Sequence, residues 1–212
     1  MLTNKIFNAS ALLGLLSKGH FVEVSRTDLI AGYQGQTALK VKKVIEKALG
    51  GVLFIDEAYS ITENENSDSY GRECLTELTK ALEDYRDNLV VIVAGYTEPM
   101  KQFFESNPGL KSRFNTFITF EDYNGDELFE IFEKMCKEDD YEMSPEIVVG
   151  LKEIFNERAN SHMQNFSNGR FVRNLYENMV MNHARRVMGI VDPTLNQLRL
   201  FEKEDIPTRN TL

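Results

Sequence analysis

What the chain has little of narrows it first. Only two cysteines occur, Cys74 and Cys136, in no C-x-x-C arrangement. They offer neither a disulfide framework nor a zinc site, and such usage suits a reducing cytosol. The three histidines, His20, His162 and His183, are too scattered to form a ligand set. No apolar run approaches the ~20 residues of a membrane span. The amino terminus, with one lysine and polar interruptions, lacks the apolar core of a secretory signal, so the expected location is cytoplasmic. Positive charge is short as well. Lys and Arg number 24 against 33 Asp and Glu, and the net charge of -9 argues against duplex nucleic acid and anionic membrane as partners. Neither a G-x-S-x-G elbow nor an H-E-x-x-H helix occurs, which leaves hydrolase and metalloprotease readings without an anchor.

What is present is enough for a core. With 212 residues and 42% hydrophobic side chains, the chain fits one large domain or two small ones. Leu2 to Leu16 carries a broad apolar stripe that predicts a helix, and Phe21-Val22-Glu23-Val24-Ser25 alternates as a strand. Val41, Val44, Ile45, Ala48 and Leu49 recur at helical spacing, and Gly50-Gly51 stops that helix. A polar stretch from Glu63 to Ser69 precedes a helix with Leu75, Leu78, Leu82 and Tyr85 on one face. Leu89 to Val93 is a fully apolar strand candidate, and Thr116 to Phe120, with two threonines, is one more candidate strand. Apolar strands alternating with amphipathic helices predict an α/β unit with a parallel sheet covered on both faces.

Near Asp122-Tyr123-Asn124-Gly125 the composition changes, and helices alone are expected afterwards. The first carries Leu128, Phe129, Ile131, Phe132 and Met135; the second starts at Ser144 with Pro145 in its first turn; the third follows Asn168-Gly169 with Val172, Leu175, Met179 and Val180 apolar. The reading is therefore an α/β domain over 1–122 and a helical domain over 123–212. Apart from a short alternating piece, Gln197 to Phe201, the tail from Asp192 reads as a polar end.

The most informative stretch is Gly50-Gly51-Val52-Leu53-Phe54-Ile55-Asp56-Glu57, an apolar run ending in two adjacent carboxylates. A buried strand that delivers acids to its carboxyl end is the Walker B pattern: the Asp holds Mg²⁺ and the next Glu polarises the attacking water. The bland alternative is a capping acid pair, costly where the acids lack a partner. Such a strand calls for a phosphate-binding G-x-x-x-x-G-K-[ST] loop earlier in the chain. The nearest look-alike, Gly109-Leu110-Lys111-Ser112, has Leu110 and Glu105 where glycines are required.

These motifs, in the order FVEVSR, GQT, ALGGVLFIDEAYS, VVIVAGY, SNPGLKSRF and NGRFVRNL, resemble the AAA+ ATPases. Within them the likeness is to the CbxX/CfqX family, which includes red-type rubisco activase and stage V sporulation protein K. The resemblance covers nearly the whole chain. It implies an αβα P-loop-type parallel sheet followed by a small helical lid domain. It also implies an amino-terminal truncation, because the segment like Leu2 to Leu16 is the later part of the helix that starts at the phosphate-binding loop; the first strand and the loop are then missing.

By that resemblance Asp56 holds Mg²⁺ or its water and Glu57 orients the hydrolytic water. Arg113 corresponds to an arginine finger that reaches the γ-phosphate of a neighbouring subunit, the competing reading being a surface arginine. Arg170 corresponds to the sensor 2 arginine, with Arg173 one turn away as its competitor. The polar sensor at the end of the Leu89 to Val93 strand is Tyr96 or Thr97. Tyr33-Gln34-Gly35 sits where related rings place the loop that grips polypeptide, although an apolar residue is usual at Gln34. The resemblance thus implies ATP and Mg²⁺ as cofactors, a homo-oligomeric ring and a protein substrate remodelled through its pore. The rival reading is a non-hydrolysing interaction or assembly module, or a fragment completed by another chain. The remodelled partner, the ring size and the choice between activase-like and sporulation-like roles are not legible in the sequence.

Overall fold

The computed structural model describes residues 16–33, 35–62, 69–161 and 168–208. The helix expected over Leu2 to Leu16 lies outside them except for Leu16, which is buried. Two compact units divide the chain, Met1–Thr119 and Phe120–Leu212.

The first unit is built on three parallel strands, β1 (Phe21–Val24), β2 (Val52–Ile55) and β3 (Val90–Val93), with β2 in the middle. Parallel strands need crossovers, and the sequence supplies them as amphipathic helices. The chain leaves β1 through the short α1 (Arg26–Leu29) and returns through α2 (Gln36–Ala48); α3 (Ser69–Asp84) links β2 to β3. In the register, Val22, Leu53 and Val91 form one row and Val24, Ile55 and Val93 the next on the same face. That face joins Val41, Val44, Ile45 and Ala48 of α2 and Cys74, Leu75, Leu78 and Ala81 of α3 in one apolar cluster. Each fully buried Leu or Ile there contributes roughly 1.5–3 kcal/mol.

Glycine makes the turn into β2. Gly50 adopts φ +84, and a Cβ on Gly51 would lie 2.2 Å from the His20 carbonyl oxygen. The close approach lets the Val52 amide donate to that same carbonyl at 2.8 Å and the amides of Lys18 and Gly19 donate to Gly50. After β3 come α4 (Thr97–Glu105) and the single turn α5 (Pro108–Lys111).

One sequence expectation fails beyond α5. Thr116 to Phe120 forms no strand; Phe117, Ile118 and Phe120 are exposed, and among the described residues β3 has no neighbour on its outer edge. The segment's threonines and aromatics suit a strand, but a strand exists only when another backbone satisfies its amides and carbonyls. Phe117 instead meets Phe104 edge-on at 5.2 Å, and Phe114 meets the same ring at 5.4 Å.

The second unit packs α6 (Gly125–Glu138), α7 (Pro145–Asn160) and α8 (Asn168–Met188) around Leu128, Phe132, Leu151, Phe155, Leu175 and Met179. Its helix starts are chemically explicit. Asn124 and Glu127 form a capping box on α6, and Ser144 caps α7 with Pro145 in the first turn.

A second correction concerns the tail. Residues after Asp192 are not a polar end: α9 (Leu195–Arg199) leads into β5 (Leu200–Phe201), which pairs in parallel with β4 (Glu142–Met143). Phe201 is fully buried and stacks on Tyr141 at 4.5 Å. Arg186 on α8 donates to both carboxylate oxygens of Asp205, at 2.9 Å each, and pairs with Glu202 at 3.3 Å. Asp205 is itself buried, so this bidentate contact is what makes its burial tolerable.

Candidate functional site

The candidate chemistry of the first unit gathers at the carboxyl end of β2. Val52, Leu53 and Ile55 of the strand are buried, yet Asp56 and Glu57, immediately after it, are both exposed. The pair is therefore solvated, which removes the burial cost that weighed against a capping pair. Its turn is held from three sides: the Asp56 amide donates to the Val24 carbonyl at 3.2 Å, the Glu57 amide to Asp56 Oδ1 at 3.0 Å and the Ala58 amide to the Ala94 carbonyl at 3.0 Å. Glu57 adopts φ 47 and ψ 46, left-handed backbone that costs a non-glycine residue on the order of 1–3 kcal/mol. The following 3-10 turn, Ala58–Ile61, is anchored by buried Ala58 and Ile61, which keep that conformation in place.

The Ala58 to Ala94 hydrogen bond brings the end of β3 beside this turn. Tyr96 caps α4 and lies against Tyr59 with ring centroids 6.3 Å apart, while Thr97 is exposed in the helix's first turn. Gly95 permits the approach, since a Cβ there would lie 2.7 Å from the Tyr59 ring and 2.9 Å from the Met100 sulfur. No sequence periodicity announces the Tyr59 contact.

Arg113 lies at the end of α5, its side chain 30% exposed. Its Nη1 donates to the Gly109 carbonyl at 2.7 Å and its Nε lies 3.4 Å from Glu83 on α3. Glu83 is a partner that sequence reasoning missed, because nothing in the spacing ties α3 to a loop beyond β3. Tyr33 is 74% exposed and Gly35 opens α2 with φ 79; Gln34 lies outside the described residues.

In the second unit Arg170 and Arg173 are exposed on the first turns of α8. Asn168, read only as a loop residue from the sequence, anchors that end. It adopts φ 42, its Oδ1 accepts from the Tyr123 amide at 3.0 Å, and its Nδ2 donates to Asp122. The structure thus brings Asp56, Glu57, Tyr96 and Thr97 together in one unit and Arg170 and Arg173 together in the other.

The donor set is suited to magnesium in one specific way. Among the described residues no group of three or more His, Cys, Asp and Glu could hold a metal ion. Mg²⁺ is usually held by one or two carboxylates with water and substrate phosphates rather than by an all-protein cage, so a single exposed Asp56 fits it. Two cavities, of about 430 and 610 Å³, are lined only by residues of the helical unit, and neither contains the carboxylate pair.

The chain thus combines a parallel sheet that presents a carboxylate pair at its central strand end with a separate helical unit whose α8 opens on Asn168-Gly169-Arg170. Residues 3–122 match the model of the ATPase family associated with various cellular activities (AAA), and residues 124–211 match the AAA lid domain. The chain belongs to the AAA ATPase family, in its CbxX/CfqX branch. It is 42% identical over 196 residues to a protein CfxQ homolog of Trieres chinensis, covering 92% of this chain and 67% of that protein. It is 39% identical over 198 residues to a chloroplastic ribulose bisphosphate carboxylase/oxygenase activase of Cyanidioschyzon merolae, covering 92% of this chain and 66% of the other. The crystal structure of the FIGL-1 AAA domain shares the fold, with a TM-score of 0.58 at 18% identity over 86% of this chain and 58% of that one. The chain spans about two thirds or less of the length of the curated relatives it matches.

Proposed function

We propose that these residues form the Walker B, sensor, finger and lid portion of an ATP-driven protein-remodelling machine. The observation that carries the reading is the pair Asp56 and Glu57, exposed at the end of a mostly buried central strand, its turn fixed by two backbone–backbone hydrogen bonds and one from the Glu57 amide to the Asp56 carboxylate. Asp56 holds Mg²⁺ or its water, and Glu57 holds the hydrolytic water and accepts its proton. When bound, Mg·ATP supplies the phosphoryl group and the charge that these side chains meet. Thr97 or Tyr96 senses the γ-phosphate, and Arg170, with Arg173 beside it, neutralises phosphate charge from the lid. Arg113 acts on the nucleotide of a neighbouring subunit, which makes a homo-oligomeric ring the working form; such fingers are worth ~10³ to 10⁵ in rate. Tyr33, Gln34 and Gly35 grip a protein substrate in the ring's pore. The activase among the relatives supports a protein target. The free thiols support a reducing, cytoplasmic setting: Cys74 and Cys136 are buried, and desolvation pushes both up to about 12.

Because the 212 residues contain no G-x-x-x-x-G-K-[ST] match, we propose further that by themselves they bind Mg·ATP weakly and hydrolyse it negligibly. Calorimetric titration with Mg·ATP tests this; low-micromolar affinity, or steady turnover abolished by Glu57→Gln, defeats it. Fusing a strand and phosphate loop from a close relative ahead of Leu2 is expected to restore binding. In that form Arg113→Ala should remove turnover and spare binding, and mixing it with a Glu57→Gln form should recover part of the activity. The alternative, a non-hydrolysing assembly module, draws on the exposed Phe117, Ile118 and Phe120, and gains if the fused form assembles but never turns over.

A further inference from the structure

Arg113 stands on a backbone that is fixed on both sides. Before it, the Asn107 side chain caps α5 by accepting from the Gly109 amide at 2.9 Å, Leu110 is fully buried, and the Arg113 amide donates to the Leu110 carbonyl at 3.1 Å. After it, Phe114 packs against the core cluster of the sheet unit and meets the Phe104 ring at 5.4 Å. A side chain that starts from such a point has few directions open to it.

Two groups of the chain then aim the guanidinium. Nη1 donates to the Gly109 carbonyl at 2.7 Å, and a Cβ on Gly109 would lie 3.2 Å from that same nitrogen, so glycine leaves the room this approach needs. Nε faces Oε2 of Glu83 at 3.4 Å, while Oε1 of Glu83 lies 3.9 Å from Nη1 of Arg86, so the carboxylate stands between two arginines. Of the three guanidinium nitrogens of Arg113, only Nη2 has no partner among the described residues. One nitrogen is left for an acceptor from outside. An exposed ion pair adds little to folding stability, so the effect of Glu83 is expected in where the guanidinium points. A planar fork held in advance also loses less freedom when it meets an anion.

We propose, resting on the finger reading of Arg113 given above, that Glu83 is its positioning residue: with the Gly109 carbonyl it turns the guanidinium so that Nη2 faces the neighbouring subunit's nucleotide. In the 212-residue chain the Nε–H resonance of Arg113, followed by NMR, should be shifted and slow to exchange, and Glu83→Gln should return it to that of an untethered arginine. The second measurement uses the fused form. There Arg113→Ala keeps the water site but lacks a finger, and Glu57→Gln keeps the finger but lacks the site, so their mixture turns over only where one chain serves the other. Adding Glu83→Gln to the Glu57→Gln chain should cut the kcat of that mixture about tenfold or more and leave KM for ATP unchanged, since misplacing a group by an ångström costs up to about 10²-fold. The site of the Glu57→Gln chain is already silent, so a defect within it cannot produce this loss. Unchanged melting and assembly check that the variant is folded. Full turnover in the altered mixture, a changed KM at constant kcat, or an Arg113 resonance that Glu83→Gln does not move overturns the proposal. No turnover in the mixture that retains Glu83 sinks the finger reading itself, and the role of Glu83 with it.

Discussion

In the sheet unit β2 is nearly sealed, while β3 at its edge leaves Val90 37% exposed and the segment beyond α5 leaves Phe117, Ile118 and Phe120 in water. The helical unit closes its core with its own last residues, Phe201 filling the space beside Tyr141 and His183. The difference follows from where each element finds its hydrogen bonds. A helix satisfies its interior backbone alone and needs only apolar contact, whereas a strand needs a neighbour on each side or leaves an open edge. Among the described residues the helical unit therefore completes itself, and the sheet unit leaves the outer edge of β3 unpaired.

The largest test of that contrast is Phe201→Ala. If the tail is core rather than a polar end, the substitution should cost about 3–5 kcal/mol of the helical unit's stability, read as a lowered urea midpoint. A loss below about 1 kcal/mol would mean that β5 only decorates a core already complete.

In the sheet unit the strongest single point is Gly51, where an added Cβ meets the His20 backbone oxygen rather than a movable side chain. Gly51→Ala should cost about 1–3 kcal/mol and loosen the β1 to β2 pairing, detectable as faster hydrogen exchange at Val52 and Leu53. Unchanged exchange would show that the sheet relaxes more readily than its close packing suggests.

Alkaline pH separates the units by another route. Burial, aided by the 2.5 Å hydrogen bond from its hydroxyl to Asp139, holds the Tyr176 phenol above the ordinary value of 10 in the folded helical unit. A group with a raised folded value contributes stability that is intact below its unfolded value and lost as pH rises beyond it. The helical unit should therefore weaken as pH climbs above 10, and Tyr176→Phe should flatten that dependence while costing about 1 kcal/mol at neutral pH. An identical alkaline profile for wild type and Tyr176→Phe would break the link.

The smallest expected effect is at the open side of the sheet unit. Phe117→Ser with Ile118→Ser should change stability by less than about 0.5 kcal/mol, since both side chains are mostly exposed, yet reduce aggregation in light scattering. A large loss of stability would show that the Phe104 and Phe117 contact carries more than its exposure implies.

Local pattern was enough wherever one element's chemistry decided the outcome. The stripe from Val41 to Ala48, the apolar run from Val52 to Ile55 and the helix start at Ser144 and Pro145 each appear as read, because periodicity and capping act within a few residues. Asp56 and Glu57 were legible for the same reason, two acids at the end of an apolar run. Contacts between distant segments were not. Glu83 beside Arg113, Tyr59 beneath Tyr96 and Asn168 holding Tyr123 depend on which elements come to lie side by side. Tertiary structure alone decided the two cases the sequence misread. Thr116 to Phe120 has residues that suit a strand but, among the described residues, no neighbouring backbone to pair with, and the short alternating piece that ends in Leu200-Phe201 finds β4 and the rings of Tyr141, Tyr176 and His183. A strand is a relation between segments, so its existence is settled by partners that no local window contains.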